Sequence, residues 1–142
     1  MRRFWRSALV IGLLLMLVGP AGGDAGRDFA GWYQISGVTD LGGSFQLTLT
    51  TRVFNYSGAD VSGATVKLEE GIMPGQAYGT FAGVSIPNRG SVKLQGTFTV
   101  PGSEYQRWQA GGAPSLWIEY LDGGGNTIRR GIEMAPMLGG DI

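Results

Sequence analysis

The chain has 142 residues, enough for one domain of ordinary size, with 11 basic and 11 acidic residues and neither cysteine nor histidine. Without those two residue types there is no disulfide framework and no Ser–His–Asp or Cys–His catalysis, and the commonest metal ligand and general base are both missing. An exported domain of this composition has to be held by its apolar core alone.

The chain begins MRRFWRSALVIGLLLMLVGPAGGDAG. Arg2, Arg3 and Arg6 precede an uncharged apolar run from Ala8 to Val18. Pro20 then breaks the run, and Ala21, Gly22 and Gly23 supply the small residues a signal peptidase requires. The reading is a signal peptide helix over residues 1–23 and a folded domain over 24–142. Cleavage is expected between Gly22 and Gly26. The apolar run is short against the ~20 residues of a spanning helix. An uncleaved leader would be the chain's one route to a membrane. Removing the three arginines leaves eight basic residues against eleven acidic ones, with no basic cluster. Nucleic acid and anionic lipid, which need concentrated positive charge, are therefore poor partners. The expected location is the periplasm, the cell surface or the medium.

Beyond Gly26 the hydrophobic pattern has period two. Short strands are predicted at 29–38, 44–54, 64–68, 78–86, 91–100, 116–121 and 128–134, separated by Gly, Pro, Asn and Asp. Residues 91–100 are the cleanest case: Val92, Leu94, Phe98 and Val100 share one face, and Lys93, Gln95, Thr97 and Thr99 the other. In 44–54, Phe45, Leu47, Leu49 and Val53 oppose Gln46, Thr48, Thr50 and Arg52. Asn55 and Gly58 lie between two such runs and read as turn residues. The Asn55-Tyr56-Ser57 triplet also matches a glycosylation acceptor. Glu104 to Ala110 is the one helix-compatible stretch, and Trp108 within it is expected to plug the end of the fold.

For the last two strands, pairing Asp122 with Asn126 leaves a three-glycine loop. This register, the favoured one, sets Leu116 opposite Ile132, Trp117 opposite Gly131, Glu119 opposite Arg129 and Tyr120 opposite Ile128; the alternative, Asp122 opposite Ile128, keeps the apolar parity but separates Glu119 from Arg129 and puts Tyr120 against Arg130. Arg130 then follows the inward phase, which requires either a bulge or a carboxylate at the rim. Seven half-buried strands need their apolar faces covered. The fold class expected is all-β, a two-sheet immunoglobulin-like sandwich of about seven antiparallel strands, with a closed barrel as the competing architecture.

Several segments together resemble a known family. They are Asn55 with Gly58 and Val66-Lys67-Leu68, Ile86-Pro87-Asn88-Arg89-Gly90-Ser91-Val92 leading to Thr97-Phe98-Thr99-Val100-Pro101, and Ile118-Glu119-Tyr120-Leu121-Asp122 with Gly125-Asn126. Over roughly 44–134 the chain resembles the immunoglobulin-like accessory domains of bacterial and archaeal surface proteins, including cell-adhesion-related and S-layer-associated types. The resemblance implies a sandwich fold and a role in adhesion, assembly or presentation. It brings no catalytic residue.

Candidate chemistry is sparse. Glu119 with Asp122 or Glu133 would be a carboxylate pair for glycoside hydrolysis. Glu119, however, follows the polar face of a strand, and Asp122 opens a glycine turn. Asp122, Asn126 and Asp40 are too few oxygen ligands for calcium. No enzyme activity, metal or cofactor is expected. Trp32, Trp117 and Tyr120 are the candidate ligand-binding residues, because an aromatic on a strand's polar phase can stack a sugar or anchor a partner. The plainer reading puts each tryptophan at a strand end under a loop, or facing Gly131 across the hairpin. The expected function is an exported, non-enzymatic module that binds a protein or builds a surface assembly, self-association included. The alternative is a small carbohydrate-binding module. Clustered exposed aromatics would favour the second, and an open strand edge the first.

Overall fold

In the computed structural model, residues 28–71, 76–140 and 142 are described. The segment read as a leader, 1–23, and the region where cleavage is expected lie outside the described residues, which begin at Asp28. The order of elements is β1 (Phe29–Asp40), β2 (Ser44–Asn55), β3 (Val61–Glu69), β4 (Ala77–Ile86), β5 (Ser91–Pro101), α1 (Gly102–Gln109), β6 (Ser115–Leu121) and β7 (Thr127–Pro136). Each predicted strand is present, extended by a few residues at its ends. The helical stretch forms α1, beginning two residues earlier than its pattern indicated.

The seven strands form one mixed sheet in the order β4-β3-β6-β7-β1-β2-β5. The expectation of seven antiparallel strands is corrected at one pair. β7 runs antiparallel to β6 but parallel to β1, with Ala30 opposite Glu133 and Tyr33 opposite Pro136. That parallel pair links the two halves of the sheet, which curls nearly into a barrel. Its terminal strands, β4 and β5, meet through side chains: the rings of Phe81 and Phe98 cross edge to face with centroids 5.5 Å apart. Gly79 makes this possible, because a side-chain carbon there would collide with the Phe98 ring.

Alternation along the strands builds the core. Leu47, Leu49 and Val53 of β2, Val66 and Leu68 of β3, Leu116 and Ile118 of β6, and Val100 of β5 are all buried in it. Trp108 of α1 enters the same core, and its Nε1–H donates to Glu104 Oε2 at 2.9 Å. Glu104 is itself buried and accepts from Arg107 Nη2 at 2.5 Å. The crossover helix thus closes one end of the fold with an aromatic plug whose polar edge is satisfied.

Asn55 secures another connection. It is fully buried, and its Nδ2 donates to the carbonyls of Ala59 and Ile86, each at 2.9 Å. Its Oδ1 accepts from the Ser57 N–H at 2.9 Å, closing the turn in which Gly58 takes a φ of 96°. The triplet that matches a glycosylation acceptor therefore has its amide committed to joining the β2–β3 turn to the end of β4.

The β6–β7 hairpin has the register expected. Asp122 N–H donates to Asn126 O at 2.9 Å, Glu119 faces Arg129, and Trp117 faces Gly131. Arg130, on the inward phase, finds a carboxylate at the rim: its Nε lies 3.6 Å from Asp28 Oδ2.

Candidate functional site

The three candidate residues lie in three different environments. Tyr120 points inward. It is half-buried and packs edge to face on Phe29 with centroids 5.7 Å apart. Burial, with the Asp28 carboxylate nearby, pushes its hydroxyl pKa up. Tyr120 borders a small recess of about 220 Å³ that also contains Asp28 and Arg130.

Trp117 lies on the outer face of β6 and is engaged by its own fold. Its indole rests over Gly131, and the Arg129 guanidinium carbon stands 4.4 Å from the ring centroid. Its Nε1–H donates to Ser115 Oγ at 3.2 Å. Arg129 in turn joins two strands' carboxylates, with Nη2 2.6 Å from Glu69 Oε1 and Nη1 2.6 Å from Glu119 Oε2. Lys67 Nζ approaches Glu119 Oε2 at 3.3 Å. Burial raises the Glu119 carboxyl, but hydrogen bonds from Arg129 and Lys67 outweigh it and hold the group below its ordinary value. The hydrogen bond to Glu69 raises Arg129 in the same network. Glu119 is thus locked in ion pairs, and Asp122 spends Oδ1 on the N–H groups of Gly124 and Asn126 at 2.9 and 2.8 Å.

Trp32 is the exposed member, at 45%. It stands on the outer face of β1, opposite Arg52 in register, and Arg52 turns away to donate to Ser91 Oγ at 3.1 Å. Two further aromatics share the face. Phe54 follows Arg52 on the outward phase of β2 and Tyr56 continues that phase one residue beyond the strand, with rings nearly parallel at 9° and centroids 6.3 Å apart. The Trp32 ring meets Phe54 at 67° with centroids 6.0 Å apart. Tyr56 is 58% exposed. On the β7 side the face continues into Glu133 and Ala135, both exposed. Trp32, Phe54 and Tyr56 border a depression of about 560 Å³ that Ala30, Gly31, Glu133, Met134 and Ala135 also line.

This aromatic corner is the candidate site. Of the candidate trio it contains only Trp32, because Trp117 and Tyr120 belong to other faces. Phe54 and Tyr56 are not among the candidates read from the sequence, although the signal is there: Phe54 continues the polar phase of Thr48, Thr50 and Arg52. Glu133 enters the sequence reading only as a carboxylate partner for Glu119. The two lie on different faces, since Glu119 is held by Arg129 and Glu133 stands beside Trp32.

No family model matches the chain, and no curated protein matches it. Among solved structures it resembles an exo-β-N-acetylglucosaminidase of family GH20 from Vibrio harveyi, in complex with N-acetylglucosamine, at 12% identity and a TM-score of 0.43. That likeness covers 81% of this chain and 19% of the enzyme, so the chain spans about a fifth of the protein it matches. It also resembles the Northeast Structural Genomics Consortium target SoR45, at 7% identity and a TM-score of 0.42, over 76% of this chain and 84% of that one. A protein from Archaeoglobus fulgidus follows at 15% identity and a TM-score of 0.31, over 72% of this chain and 91% of that one. What these neighbours share with the chain is a β-rich fold.

Proposed function

We propose that the chain is an exported, non-enzymatic binding module of immunoglobulin-like sandwich form, and that the outer face of β1 and β2 meets its partner. The leader pattern at residues 1–23 supports export. Strand order supports the sandwich reading: β1, β2 and β5 lie together, β4, β3 and β6 lie together, and β7 bridges the groups. One observation carries the binding reading. Trp32 and Tyr56 hold large aromatic surface in water at a single corner, where a fold with an apolar core available would ordinarily have buried it.

Two measurements test this reading together. Cell fractionation with N-terminal sequencing is expected to recover a mature chain beginning between Gly22 and Gly26 outside the cytoplasm. Immobilised mature chain is expected to retain a component of an envelope extract that a Trp32→Ala/Tyr56→Ala double variant does not retain. Cytoplasmic recovery of the intact chain overturns export. Equal retention by both chains overturns the binding face.

A second reading, assembly by strand addition, has its own observation. β1 runs to Asp40, yet β7 pairs with it only from Ala30 to Tyr33. The following edge is bordered by the chain's own C-terminal segment, through Met137 N–H to Tyr33 O at 2.9 Å and Gln34 Nε2 to Gly140 O at 2.7 Å. Sedimentation of concentrated mature chain tests this reading. Self-association reduced by Val38→Lys supports assembly through the open edge. A monomer at all concentrations overturns self-assembly.

A further inference from the structure

We infer that the corner between Trp32 and Tyr56 binds one neutral pyranose ring of an extracellular polysaccharide, gripped by its C–H faces and hydrogen-bonded at its edge by Glu133. The inference rests on the binding-module reading and names the ligand class of that same face.

Shape is the first argument. Phe54 and Tyr56 are nearly parallel while the Trp32 ring stands steeply to them. The exposed rings therefore form two walls rather than one flat platform, and a corner holds one ring where a platform would track several. The depression of about 560 Å³ falls within the ~300–1,000 Å³ range of small-ligand sites. Besides the three rings it is lined by the small residues Ala30, Gly31 and Ala135, with Met134 and Glu133. A stable protein interface needs about 800 Å² on each partner, with apolar surface continuing outward from its anchor. Here the other exposed large hydrophobics among the described residues are Val38 near the end of β1, Leu41 in the turn after it, Leu121 at the end of β6 and Leu138 in the C-terminal segment, and none of them lines this depression.

Chemistry is the second argument. The electron-rich face of an indole or phenol attracts polarised C–H groups. A pyranose whose hydroxyls are all equatorial presents C–H groups on both faces and hydroxyls around its edge. It therefore fits aromatic walls and a carboxylate rim together. Glu133 accepts hydrogen bonds from hydroxyls and repels anionic sugars. Arg52, the cation opposite Trp32, donates to Ser91 Oγ and does not line the depression, so the charged group that lines it is Glu133. A neutral, gluco-configured ring is favoured over a uronic acid, and over a galacto-configured ring, whose axial hydroxyl interrupts one face.

The test uses the full mature chain with cellohexaose, a β-1,4-galactan hexaose and a polygalacturonate oligomer, followed by calorimetry and by saturation transfer from protein to sugar in NMR. Cellohexaose is expected to bind, with transfer strongest to the ring C–H protons. Trp32→Ala is expected to weaken binding by at least about tenfold, and Tyr56→Ala and Glu133→Gln by about three- to tenfold each, with melting temperatures near that of the parent chain. Binding that Trp32→Ala leaves intact overturns this inference and moves the sugar elsewhere. Preference for polygalacturonate overturns the role given to Glu133. If no oligosaccharide binds but the double variant still loses its envelope component, the sugar is overturned and the binding face stands. If neither is seen, both are overturned.

Discussion

Trp32 and Trp117 begin alike. Each sits on the outward phase of a strand, in a chain with few charges, and each has an arginine close by across a strand pair. They end differently because of what those arginines do. Arg129 is fixed by Glu69 and Glu119 and lies over the Trp117 ring, and Gly131 leaves room for the indole beneath. Arg52 has no such pair of carboxylates and turns to Ser91, leaving Trp32 in water beside Phe54 and Tyr56. An outward tryptophan becomes structural when a carboxylate network holds its cation over it. Without that network it stays exposed.

The largest effect expected from breaking this contrast comes from Arg129→Ala. It strips Glu69, whose side chain is 2% exposed, of a charged partner and uncovers Trp117. Arg129 keeps about a third of its surface in water, so the cost is placed at about 2–3 kcal/mol, below that of breaking a fully buried pair. Arg52→Ala should stay within about 0.5 kcal/mol. Denaturant melts of the two variants check this, and equal shifts would erase the distinction.

Truncating the tryptophans themselves comes next. Trp117→Ala should cost about 2 kcal/mol, because a half-buried ring and its cation contact are lost. Trp32→Ala should lie within about 1 kcal/mol and act on binding instead. Comparable losses of stability would show that Trp32 is also structural.

The network also predicts a pH dependence. Glu119 has its pKa lowered from an ordinary 4.5, so its contribution to stability is fully present above that value and is lost as pH falls through the lower folded value. Glu119→Gln should flatten the acid limb of a melting-temperature profile below about pH 4.5, and an unchanged acid limb would show that the Arg129 network does not set it. The smallest effect is expected at Gly131. A Cβ there would stand 3.6 Å from the indole, an ordinary contact, so Gly131→Ala should shift stability by no more than about 0.5 kcal/mol. A larger loss would mean that the indole is held more tightly than its spacing indicates.

Most of the strand framework was legible because it rests on local rules. Period-two alternation marked the strands, and Asp122 with three glycines specified a hairpin whose register matched apolar to apolar residues and Glu119 to Arg129. The rim partner of Arg130 was anticipated only as a carboxylate, since its identity as Asp28 depends on where the start of β1 lies in space. Asn55 was legible as a turn residue. Its bond to Ile86 O, which spans 31 positions along the chain, was not. The corner was half legible: the outward phase of Trp32 and Phe54 could be counted, but their meeting needed the β1–β2 register.

By itself, then, the amino-acid sequence determined the leader pattern, the all-β class, the strand positions, the glycine turns and the lack of His and Cys chemistry. Each follows from composition or from residues adjacent along the chain. Tertiary structure decided the parallel β1–β7 pair that curls the seven strands into one mixed sheet, the closure of β4 on β5 through Phe81 and Phe98, and which tryptophan remains free. Those outcomes depend on contacts between residues far apart in sequence. Alternation says only that a side chain points outward. What waits for it there, a guanidinium or open water, is set by the strand that the fold brings alongside.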